Sequence, residues 1–195
     1  MTDYLKGKDA ALMIAGLSLA TFMQVLDSTI ANVALPAIAG NLGASVSQGI
    51  WVLTFFMVFN AASIPLTGFL AKRIGEVRLF SISSTLFIIA SLVCGLSTSL
   101  VMLIVARIFQ GLVSGPMIPL AQSLLLRNTP LERRSMAMGL FGIVIMIAPV
   151  LGPILGGYIS DNYYWGWIFF INVPIGLLSL ALCWVTLRPV SYTHL

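Results

Sequence analysis

Charge is scarce in this sequence. Only 8% of its 195 residues are Asp, Glu, Lys or Arg, against about 25% in ordinary soluble domains. Hydrophobic residues make up 59%, and mean hydropathy is +1.03. Such a composition excludes a soluble globular domain and describes an integral membrane protein. Cysteine is also sparse: Cys94 and Cys183 both fall in apolar runs, which argues for core packing and against a disulfide or metal site. The one histidine, His194, lies in the C-terminal tail, so no histidine relay or histidine-based metal centre can be built within a membrane. Asp27 is the only acidic residue inside an apolar run. That leaves an intramembrane enzyme without its nucleophile–base or metal constellation, and no Walker-type phosphate loop is present to power pumping by ATP.

What the sequence does have is long apolar runs, at 11–35, 49–70, 79–97, 100–124, 136–157 and 167–187. Each is near the ~20 residues an α-helix needs to cross the hydrocarbon. No strand alternation is sustained, so helices are what satisfies the backbone in lipid. The first run is too long, too polar at its far end and too well accompanied to be a removable signal. The expectation is an all-α bundle of six transmembrane helices over 11–187, with a cytoplasmic segment at 1–10 and a tail at 188–195.

Basic residues occupy alternate connections. Lys6 and Lys8 precede helix 1, Lys72, Arg73 and Arg78 follow helix 2, Arg127, Arg133 and Arg134 follow helix 4, and Arg188 follows helix 6. The other connections, around 36–48, 97–99 and 158–166, have neither Lys nor Arg. The positive-inside rule therefore puts both ends in the cytoplasm. The net charge of +4 reads as a topology signal, and nucleic acid is not an expected partner.

An ionised residue inside a span costs about 2.5–3.5 kcal/mol on insertion scales, so it must be paired or wet. Helix 1 carries Thr21, Gln24, Asp27, Ser28 and Asn32 at spacings that keep them in one stripe. Helix 4 carries Arg107, Gln110, Gly111 and Ser114 at i, i+3, i+4 and i+7. Asp27 and Arg107 each lie roughly 12 Å from the outer end of their helix, at ~1.5 Å rise per residue. Matched depth permits contact. One reading is a structural ion pair that fixes helix packing. The other is a carboxylate that faces a cavity near Arg107 and alternates between protonated and ionised forms, coupling proton movement to conformation.

Helix 5 contains Gly142, Pro149, Gly152, Pro153, Gly156 and Gly157, several of them expected on one side. That favours close approach to a neighbour and a bend at the prolines, either as packing alone or as a hinge or seam. At the end of helix 2, Gly68 permits close approach and Gly75 a tight turn, with Lys72, Arg73 and Arg78 at the cytosolic surface.

Five strings, LDSTIANVALP at 26–36, GFLAKRIGEVRL at 68–79, RIFQGLVSGP at 107–116, APVLGPILGG at 148–157 and WIFFINVPIG at 167–176, occur in the order of the signature motifs of the major facilitator superfamily. The sequence resembles its drug:proton antiporter branch with fourteen spans, the EmrB/QacA type, and EmrB-like members in particular. The resemblance covers about residues 10–188 and implies the N-terminal bundle of that fold, two three-helix inverted repeats forming one wall of a central cavity, with alternating access.

By that resemblance, Asp27 and Arg107 are the proton-coupling residues, with Gln24, Asn32, Gln110 and Ser114 about the substrate cavity. Gly142, Pro149, Gly152, Pro153, Gly156 and Gly157 match the antiporter motif, and Gly68, Lys72, Arg73, Gly75 and Arg78 the gating loop. Two departures stand out. The superfamily loop commonly has an acidic residue where Lys72 stands and basic ones where Glu76 and Val77 stand, and arginine is usual at Gly166.

The function implied is a secondary active multidrug exporter of the inner membrane. It would exchange amphipathic hydrophobic compounds for protons, with the proton gradient as energy source and no cofactor. Its partners would be such compounds, the lipid bilayer, at least six further helices C-terminal to these, and in double-membraned bacteria a periplasmic adaptor and an outer-membrane channel. The terminal VSYTHL matches no seventh span, so 188–195 is expected to be a truncated or artefactual end. A non-transporting scaffold or sensor, in which Asp27 and Arg107 only lock the bundle, is the alternative.

Overall fold

The structure, a computed structural model, describes residues 8–187. Lys6, Arg188, His194 and the 188–195 tail lie outside the described residues. Among the described residues, six helices are long and apolar enough to cross a membrane: α1 Lys8–Asn41, α2 Val46–Ile74, α3 Glu76–Gly95, α4 Leu100–Asn128, α5 Leu131–Asn162 and α6 Trp167–Thr186. Most run past the apolar stretches seen in sequence, because helical hydrogen bonding continues beyond the hydrophobic segment until a cap or turn stops it. The α1 helix passes through Pro36 and ends only near Gly43, whose φ of 63° is left-handed.

Local chemistry sets the junctions. Ser45 starts α2 with a reciprocal capping box: its hydroxyl accepts from the Gln48 amide at 3.2 Å, and the Gln48 side chain accepts from the Ser45 amide at 3.0 Å. Ser99 caps α4 through the Met102 amide. Gly75, at φ 87°, makes the turn from α2 into α3. Pro65 sits in a 3-10 turn within α2. A junction at Gly115–Pro116 interrupts α4. The α6 helix is interrupted at Ile171, where Pro174 has no N–H to bond the carbonyl of Phe170.

The packing has an exchange symmetry. α1 packs most extensively on α5 and α6, while α4 packs most extensively on α2 and α3. Exchanging α1 with α4, α2 with α5 and α3 with α6 carries one set onto the other, as two three-helix repeats require. Small residues set the two closest seams. A Cβ on Gly111 or Gly115 of α4 would meet α2 carbonyls at 2.5 Å, and one on Gly156 of α5 would meet the α1 carbonyl of Ile30 at 2.9 Å.

The core is in two apolar layers. One, toward the end with the basic connections, includes Leu17, Met23, Phe87, Leu124 and Phe141. The other, toward the opposite end, includes Ile30, Leu35, Leu103, Ile168 and Phe169. Between them lies a thin polar layer.

Candidate functional site

Asp27, Arg107, Gln110, Ser91 and Asn172 make that layer, each with no exposed surface. They come from α1, α4, α3 and α6. The Arg107 Nη1 donates to Asp27 Oδ2 and to Gln110 Oε1, the latter at 2.7 Å. Gln110 Nε2 donates to Asp27 Oδ1 at 3.2 Å and to Ser91 Oγ at 2.8 Å. Asn172 Nδ2 donates to Asp27 Oδ1 at 2.7 Å and to Ser91 Oγ at 3.2 Å. Cys94 adds a weak S–H contact to Gln110 Oε1 at 3.6 Å.

Every polar partner of Asp27 is a donor, which is the environment of a carboxylate. Burying this pair is worthwhile only because the hydrogen bonds are supplied as well; charge alone does not repay desolvation. Arg107 is held on its faces by aromatic rings, Phe56 at 4.0 Å and Phe169 at 5.5 Å from the guanidinium carbon. Its Nε and Nη2 have no hydrogen-bond partner among the described residues.

A cleft of about 230 Å³ opens beside this layer, lined by Gln24, Val25 and Ser28 of α1, Phe56, Met57 and Asn60 of α2 and Ile118 of α4. Phe56 thus has one role on each side: it lines the cleft and covers Arg107.

Several expected placements need correction. Asp27 does not face a cavity. It is turned inward to α3, α4 and α6, because the α1 stripe splits, with Gln24 and Ser28 toward the cleft and Asp27 one step round the helix. Gln110 and Ser114, expected about the cavity, are wholly buried. Gln110 belongs to the Asp27 network, and Ser114 accepts from Asn60 Nδ2 at 2.7 Å and donates to the Gly111 carbonyl. Gln24 lines the cleft, and Asn32 is exposed on α1. Thr21 spends its hydroxyl on the Leu17 carbonyl one turn back.

On α5, only Gly152 and Gly156 press against α1; Gly142 and Gly157 have nothing within 4 Å of a Cβ, and Pro149 and Pro153 are exposed. At about 100° per residue these six positions spread over an arc of roughly 140°, and only its edge, at Gly152 and Gly156, meets α1. Gly68 likewise has no close neighbour among the described residues. Lys72, Arg73 and Arg78 are exposed, with Arg73 over Phe69.

Sequence reading missed Asn172, Ser91 and the Glu76 contacts. Glu76 opens α3, accepts from Ser123 of α4 with both oxygens at 3.2 Å, and forms an ion pair with Arg127 at 3.2 Å. This clasp joins α3 to α4 at a position where the superfamily loop is usually basic. Asn172 could have been found by the depth argument applied to α6. Ser91 carried no signal, since a helical serine can satisfy itself on its own backbone.

Comparison with known proteins agrees in extent and kind. The family described as Major Facilitator Superfamily matches residues 17–194. The multidrug export protein EmrB of Escherichia coli K12 is 63% identical over 184 residues, which are 94% of this chain and 36% of that protein. The fatty acid resistance protein FarB of Neisseria gonorrhoeae is 56% identical over 188 residues, 95% of this chain and 37% of FarB. The chain thus spans little more than a third of these curated relatives. In fold, it matches a bacterial homologue of the human lysosomal transporter Spinster, inward-facing and occupied, with TM-score 0.78 at 21% identity, covering 94% of this chain and 45% of that one.

Proposed function

The chain belongs to the major facilitator superfamily, as a six-helix membrane bundle like the N-terminal half of that fold, and from there we propose that it forms one wall of a proton-coupled multidrug exporter. Amphipathic hydrophobic compounds enter beside the Gln24–Ser28 face of α1, Asp27 exchanges its proton, and the bundle rocks against a second set of helices. The inner membrane is the setting, with both described ends on the cytoplasmic side, as the alternation of basic connections supports. A periplasmic adaptor and an outer-membrane channel complete the route in a double-membraned cell.

The observation that carries this reading is the one carboxylate buried among the described residues, with its arginine, one aromatic ring away from a mostly apolar cleft. A ligand that moves Phe56 changes the cover of Arg107 and hence the balance at Asp27. The α2 and α5 helices are the least buried of the six, at 28% and 17% over an apolar stretch of each, which supports packing against further protein or lipid.

The complete burial of the pair also favours the rival, a lock in a scaffold or sensor bundle. The two differ in a vesicle assay on the intact transporter. Substrate addition should collapse a preformed pH gradient with the native protein and fail to do so with Asp27→Asn/Arg107→Gln. Gradient collapse by that double variant at the native rate would favour the lock.

A further inference from the structure

Asp27 is surrounded by donors only, so its protonation poses an accounting problem: the new O–H must find an acceptor in a buried layer. At Oδ2 it would face Arg107, which has no acceptor. At Oδ1 it would face two amides, those of Gln110 and Asn172. Gln110 is committed, since its Oε1 already accepts from Arg107 at 2.7 Å and turning that amide over would set NH2 against guanidinium. Asn172 is not committed. Its Oδ1 is buried and has no hydrogen-bond partner among the described residues.

We propose that Asn172 is the positioning residue that reads the charge of Asp27, its amide turning over when the carboxylate takes up a proton. With Asp27 ionised, Nδ2 donates to Asp27 Oδ1 and to Ser91 Oγ. With Asp27 protonated, the turned amide presents Oδ1 to the same two atoms and accepts from the Asp27 hydroxyl and the Ser91 hydroxyl. Ser91 can do this because it then accepts only from Gln110 and is free to donate. No hydrogen bond to Asp27 or Ser91 is lost in either state.

The location suits a relay. Asn172 follows the interruption of α6 at Ile171, so a change at the amide acts on a segment already broken there. The groups that face Asp27 with charge or titratable character are Arg107 from α4 and Cys94 from α3. The charged residues of α2 lie in its last turn, at Lys72 and Arg73. Those of α5 lie at its ends, at Glu132, Arg133, Arg134 and Asp161, and α6 has none.

This inference rests on Asp27 being the proton carrier, and the test separates the two. The 195-residue chain is reconstituted in lipid with 13C at the Asp carboxyls and 15N at the Asn side-chain amides, and solid-state NMR reads the Asp27 carboxyl shift and its dipolar coupling to Asn172 Nδ2 across pH. Asp27→Asn identifies the signal. The expected result is a coupling strong where the carboxyl is ionised and lost where it is protonated. A carboxyl shift that titrates while the coupling stays constant overturns the role of Asn172 and leaves the proton carrier intact. A carboxyl that does not titrate overturns both.

Discussion

The guanidinium of Arg107 lies 4.0 Å from the ring centroid of Phe56, and that ring also lines the cleft beside Gln24 and Ser28. One aromatic side chain therefore separates a mostly apolar opening from the only ion pair buried among the described residues. Replacing Phe56 with Leu should weaken the hold on Arg107 by about 2 kcal/mol, the worth of a desolvated cation–π contact. The measurement is proton exchange against substrate in vesicles, with substrate affinity measured alongside; the expectation is a larger loss in coupling than in binding.

Removing one member of the pair is a different matter. Arg107→Gln leaves Asp27 buried without its counter-charge, which typically costs about 3–5 kcal/mol. Thermal unfolding in detergent should show a clear loss of stability for Arg107→Gln that Asp27→Asn/Arg107→Gln largely restores. An equally unstable double variant would contradict the assignment.

The α5 glycines are not equivalent. Gly156→Leu drives a side chain into the Ile30 backbone of α1 and should destabilise the bundle by roughly 1–3 kcal/mol or more, as overpacking does. Gly142→Ala and Gly157→Ala, with open space around them, should leave the stability of this bundle unchanged. Thermal stability of the purified chain in detergent distinguishes the two classes.

The clasp at the basic end should matter modestly. Arg127 is 71% exposed in its side chain, so its ion pair with Glu76 contributes about 0–1 kcal/mol. Glu76→Gln should therefore shift stability little, while Glu76→Ala, which also abandons Ser123, should shift it more. Urea or thermal titration of both variants checks the order.

Fold and site were unequally legible. Six spans could be read because lipid enforces about 20 apolar residues per helix, and depth counting brought Asp27 and Arg107 to the same level before any contact was known. Which way each side chain turned was not legible. Gln24, Asp27 and Ser28 lie within five consecutive residues, yet Asp27 points inward and the other two toward the cleft, because a 3.6-residue period converts one step of sequence into about 100° of direction. Neutral partners were harder still. Ser91 can satisfy itself on its own helix and so carried no mark, while Asn172 is uncharged and shows only when its depth in α6 is compared with that of Asp27. The Glu76 clasp was hidden behind a motif whose usual charges are reversed here.

The most direct test of Asp27 as the coupling carboxylate is proton release on substrate binding by the intact transporter in weakly buffered detergent solution. Native protein should release protons as substrate binds, and Asp27→Asn should bind substrate with no release. Equal release by the two proteins would contradict the role given to Asp27.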